Sequence, residues 1–178
     1  MNGLAPRARE DSVRPRRLAD VVVRPLNFTV RPPRAARMSV DLLVILATSN
    51  APSGEAWSRA LSEEHTPVSF SVTVDVKHDS GFVPMRVDGR KSGFEFFIES
   101  YADEAALYPV LRDVHFDNPT VYSFSFAGHF DEAAAAFFSA SVLVSRFHGV
   151  AFDPQSGSFM SAKELTDSGR LCLTLLPR

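Results

Sequence analysis

Between Thr120 and Asp153 the pattern of apolar and polar residues changes period twice. Val121, Ser123 and Ser125 alternate with Tyr122, Phe124 and Phe126, the repeat of two that a strand requires. Gly128 breaks that repeat. From Asp131, read as an N-cap that also sets negative charge at the positive end of the helix dipole, four alanines followed by Phe137 and Phe138 predict a helix. Gly149 is assigned the C′ position that ends it, with Arg146 and His148 in the last turn. Val142, Leu143, Val144 and Phe147 spread around nearly the whole circumference, so the helix is expected to be buried on most sides. Val150 to Phe152 forms the next strand. A buried helix between two strands has to lie on a sheet, where burial of Phe137, Phe138 and Phe147 contributes about 1.5–3 kcal/mol each.

The remaining pattern extends the same architecture in both directions. Val40 and Leu42 to Leu46 make a short continuous apolar run, the mark of a central strand buried on both faces. Ser53 caps a helix with Trp57, Ala60 and Leu61 on one stripe and Arg59, Glu63 and Glu64 outside, ending before Pro67. Val68 to Val76 alternates throughout and predicts a strand with one wet face. A strand over 82–87 follows, which Pro84 marks as an edge or a bulge. Asp88-Gly89 predicts a tight hairpin turn into a return strand from Gly93 to Glu99, completing an antiparallel meander. Tyr101 to Val114 reads as helical with a kink or a new first turn at Pro109. After Phe152, Asp153 to Gly157 turns into a short strand over 158–160, and the capping box Ser161 to Glu164 opens a last helix. The tail over 171–176 is left open between helix and extended chain.

Composition divides the chain in two. Residues 1–37 hold nine arginines, no lysine and three acids, a net charge of +6, together with five of the twelve prolines. The other 141 residues hold ten basic and eighteen acidic side chains, a net charge of −8. A segment with so little apolar patterning is expected to be disordered, in front of one domain over 38–178. As an arm it could bind nucleic acid through phosphates, steer an acidic partner, or serve as a transit peptide, although Glu10, Asp11 and the prolines spoil an amphipathic helix. The abrupt change at Met38 equally suits a chain that naturally starts there, with translated upstream sequence before it. No run approaches the roughly 18 apolar residues of a membrane span. The single cysteine, Cys172, rules out an internal disulfide and a cysteine-based zinc site and agrees with a cytoplasmic location. It reads as a packed small side chain.

No nucleophile elbow, phosphate loop, HExxH or dinucleotide glycine motif occurs. Gly89-Arg90-Lys91-Ser92 has the letters that end a phosphate loop but falls in a hairpin turn. No catalytic residue, metal ligand or cofactor is therefore assigned. Two constellations remain. His129 and Asp131, at the opening of the central helix, could converge on an anion with backbone N–H groups, and with Asp153 they define the enzyme alternative, a hydrolase or transferase site. Glu95 and Glu99 lie four apart on one side of a strand and, with Asp75, Asp79, Asp88, Asp103 and Glu104, suggest an acidic surface around the meander.

Gly81-Phe82-Val83-Pro84, Ser92-Gly93-Phe94-Glu95, the strand and alanine helix from Thr120, and the stretch Gly149 to Gly157 together resemble small uncharacterised bacterial α+β proteins. Some proteins of that look are immunity proteins that neutralise polymorphic toxins. The resemblance covers about residues 39 to 170, and it implies no active-site residue. The expectation is an α+β domain with a mostly antiparallel sheet of five to seven strands, the buried Ala/Phe-rich helix, and two or three peripheral helices. The expected function is non-catalytic binding of a protein partner with a basic surface, with nucleic-acid binding through the arm as a further alternative.

Overall fold

The computed structural model describes residues 40–78 and 80–177; the arm over 1–37 and Asp79 lie outside the described residues. The fold is α+β. Seven strands, β1 (Val40–Ala47), β2 (Val68–Phe70), β3 (Gly81–Val87), β4 (Arg90–Glu99), β5 (Pro119–Phe126), β6 (Val150–Asp153) and β7 (Ser158–Met160), form one antiparallel sheet in the order β2-β3-β4-β5-β1-β6-β7. Four helices accompany it: α1 (Gly54–Glu63), α2 (Tyr101–Leu107), α3 (Phe130–Phe147) and α4 (Ala162–Thr174). A short 3₁₀ turn at Pro109–Asp113 follows α2, where proline takes up the first helical position.

β1 is central, as its continuous apolar run requires, and it pairs antiparallel with β5 on one side and β6 on the other. The β5-α3-β6 crossover therefore straddles β1. Alternation sends Leu42, Val44 and Leu46, with Tyr122, Phe124, Phe126, Phe94 and Phe96, to the face covered by α1 and α3, with α4 packed on α3. Leu43, Ile45, Val121 and Phe152 face the other way, under α2 and the 3₁₀ turn with Tyr101, Tyr108, Val114 and Phe116.

Along most of its length α3 is buried, from Ala133 to Ala136 and again from Phe138 to Leu143. Its N-cap differs from expectation. The N-cap is His129, without a side-chain hydrogen bond, because Gly128 (φ 79°) turns the chain early; Asp131 falls in the first turn instead. At the other end His148 is the C-cap, in the left-handed conformation (φ 58°), and Gly149 follows it at C′ as expected, its N–H donating to the Leu143 carbonyl at 3.1 Å. Gly149 is needed for close approach: a Cβ there would stand 2.9 Å from Val44 Cγ1.

The long strand expected over Val68–Val76 is cut to three residues. Ser71 donates its N–H to the Pro84 carbonyl at 3.0 Å, but Pro84 has no N–H to return, so the ladder stops there. The chain then leaves the sheet and tucks Val74 and Val76 under α1, while Val72 points to solvent. Accordingly β2, not β3, is the edge. At the hairpin Asp88 (φ 50°) and Gly89 (φ 77°) form the left-handed pair that a tight turn needs. The capping box is present: the Ser161 amide and hydroxyl donate to Glu164 and hold its carboxyl below the ordinary value. The chain over 171–174 completes α4, and the edge of Phe138 packs against Gly169 in that helix.

Tyr122 is buried in the helix-side core, which pushes its hydroxyl up to about 12. The unfolded side chain ionises near 10. The folded state thus holds the proton more tightly, and its share of stability is intact below pH 10 and lost as pH rises through about 12. In a tyrosinate absorbance titration the folded chain should show one fewer ionised tyrosine at about pH 11 than the denatured chain. Equal titration of both forms would contradict that burial.

Candidate functional site: a carboxylate-bearing sheet face

The strand period places Glu95, Phe97 and Glu99 of β4 on the face opposite α3, while Phe94, Phe96 and Ile98 point toward it. Register then decides what they meet. Asp41 pairs with Ser125, and Ser125 with Glu95, so Asp41, Ser125 and Glu95 form one row across three strands, with Phe82 of β3 at its end. The next row on that face is Leu43, Ser123 and Phe97, and the third is Ile45, Val121 and Glu99. Strand spacing puts the backbones of Asp41 and Glu95 about 10 Å apart, and Glu95 and Glu99 about 13 Å apart.

Small polar side chains line the floor between these acids. The Ser125 hydroxyl donates to Asp41 Oδ1, which fixes that carboxylate over β5. The Ser123 hydroxyl is fully enclosed and meets no hydrogen-bond partner among the described residues. A polar atom left so costs about 1–3 kcal/mol, and an added donor or acceptor would recover that cost. Buried Glu104 belongs to α2, which begins two residues after Glu99 and packs on the same side of the sheet.

The other acids named from sequence lie elsewhere. Asp88 sits at the hairpin tip, about 23 Å along β4 from Glu95. Asp75 belongs to the loop beside the start of α1, where the His78 side chain, at 2.9 Å, and the Lys77 N–H hold its carboxyl below the ordinary value. Asp103 is exposed on α2, and Asp79 is outside the described residues. The acidic surface is therefore not one field around the meander. It narrows to Glu95 and Glu99, joined by Asp41, which sequence reading passed over as the polar start of an apolar run. Asp41 and Ser125 reveal themselves only through the β1–β5 register.

His129, Asp131 and Asp153 share an end of the sheet but do not meet as a catalytic group. His129 is exposed at the helix cap, and Asp131 lies in the first turn of α3. Asp153 accepts from the Gln155 N–H at 2.9 Å to build the β6–β7 turn, so its carboxylate has a structural task. An open cleft of about 660 Å³ at the far end of β1 is lined by Asn50, Tyr101, Arg112, His115, Phe116 and Asp117. Its Tyr101 hydroxyl is occupied by the Leu111 and Val114 carbonyls. Among the described residues no three His, Cys, Asp or Glu side chains converge as metal ligands, and no helix is long and apolar enough to cross a membrane. Partial burial pushes the Cys172 thiol up, away from the reactive thiolate. Gly89 to Ser92 forms the hairpin and the start of β4, with Arg90 donating to the Pro177 carbonyl at 2.9 Å. No known family model matches the chain, and comparison with curated proteins and with solved structures gives no significant match.

Proposed function

We propose that the chain is a non-catalytic binding protein that receives a cationic segment of a protein partner on the sheet face bearing Asp41, Glu95 and Glu99. The observation that carries this reading is the cross-strand row Asp41–Ser125–Glu95, with Glu99 two rows on. Carboxylates on β1 and β4 flank the serines of β5, an arrangement that suits basic side chains of an extended segment laid across them. Their field speeds encounter and selects sign more than it sets affinity. In its sharpest form the partner is a basic toxin and the chain its neutralising protein in a bacterial cytoplasm, a setting compatible with the lone Cys172.

The test uses a labelled nine-arginine peptide and a full-length chain whose arginines within 1–37 are replaced by glutamine, so that its own cations do not compete. Binding should weaken about tenfold when Glu95→Lys and Glu99→Lys are combined, and it should fade as salt shortens the screening length. A control with Asp88→Lys and Asp113→Lys carries the same net charge. If the control loses as much binding as the face variant, the peptide reads overall charge and the assignment to this face is wrong.

A further inference from the structure

Resting on that reading of the face, we propose that its resident occupant is the chain's own arginine-rich segment, residues 1–37, which holds the site until a stronger cationic partner displaces it. Complementarity is the first support. The segment carries +6 and the rest of the chain −8, and all of its basic side chains are arginine, whose planar fork engages a carboxylate through two parallel N–H bonds.

Connectivity is the second support. The segment runs directly into β1, and Asp41, the second residue of that strand, is itself one of the face's carboxylates. A tether this short gives an effective concentration on the order of millimolar, so even weak ion pairs are populated without any free ligand.

Trypsin reads this directly, because it cleaves after arginine. In the full-length chain, cleavage within 1–37 should be slow and should accelerate about tenfold in the Glu95→Lys/Glu99→Lys chain and in high salt, with rates tracking the fraction of undocked segment. The isosteric Glu95→Gln/Glu99→Gln chain should behave likewise, which separates lost charge from misfolding. The Asp88→Lys/Asp113→Lys control should match wild type. Equal cleavage rates in all four chains would overturn the docking. Protection that grows with protein concentration would overturn it too, and would assign the segment to a second copy. Peptide binding by the arginine-free chain, combined with an unprotected segment, would leave the proposed function standing and remove only this inference. Protection without peptide binding would do the reverse.

Discussion

Replacing Trp57 by alanine should lower the unfolding free energy by about 3–5 kcal/mol, the range for removing a large aromatic from a packed core. The indole is fully buried and touches three rings at once, with centroids 5.0 Å from Phe70, 5.7 Å from Phe96 and 6.0 Å from Phe124. These rings belong to β2, β4 and β5. Its Nε1–H donates to the Ser139 carbonyl of α3 at 3.1 Å, so one side chain of α1 ties the sheet to the central helix. Truncation leaves a cavity among rings that cannot close it and a buried carbonyl short of one donor. Trp57→Phe, which keeps most of the ring contact, should recover most of the loss and retain the hydrogen-bond deficit of about 1 kcal/mol. Urea unfolding followed by circular dichroism gives both values. An alanine variant within 1 kcal/mol of wild type would show that α1 is not anchored as described.

The second large effect has a sign opposite to simple propensity. Gly54 is the first residue of α1, and in a helix alanine is favoured over glycine by about 1 kcal/mol. Gly54→Ala should nevertheless destabilise the chain by about 1–3 kcal/mol, the usual cost of overpacking. A Cβ at this position would stand 1.8 Å from the Val74 carbonyl oxygen and 2.9 Å from its carbon. Those are backbone atoms, so no rotamer change relieves the clash; the loop after β2 has to move. Val74 and Val76 would leave the core with it, and trypsin should then cut faster after exposed Lys77. A rise in stability would mean that the loop does not press on the helix start.

The same contact explains part of what sequence alone could and could not convey. Period-two alternation over Val68–Val76 is genuine, and Val68, Val74 and Val76 are buried as the pattern suggests. What it cannot show is that Pro84, sixteen residues later in the chain than Val68, withholds the N–H that the ladder needs, or that Gly54 offers a notch for the displaced chain. Both constraints act through space. Signals that act within one turn were legible: the Ser53 cap, the Asp88-Gly89 hairpin and the Ser161–Glu164 box all appear as the sequence indicates. At α3 the local signal placed Gly149 correctly after the C-cap but set the N-cap two residues late, because the turn at Gly128 brings His129 to that position ahead of Asp131.

The site divides along the same line. That Glu95 and Glu99 share a side follows from four residues of separation in a strand. That Asp41 joins them depends on pairing between segments about 80 residues apart, which no local pattern encodes. The grouping of Asp75 and Asp88 with them failed for a related reason: proximity along a meander is not proximity on one face.

The placement of β1 also bears on how the molecule assembles during synthesis. This strand leaves the ribosome ahead of every other described element, yet both its neighbours are made late: Val40 waits for Phe126, and Leu43 for Phe152. For most of translation Leu42 to Leu46 is a bare aliphatic ribbon with nothing to zip against, a form prone to the wrong partners. Closing loops of that length is slow, so the centre of the sheet is set in place only after β5, and then β6, have been made.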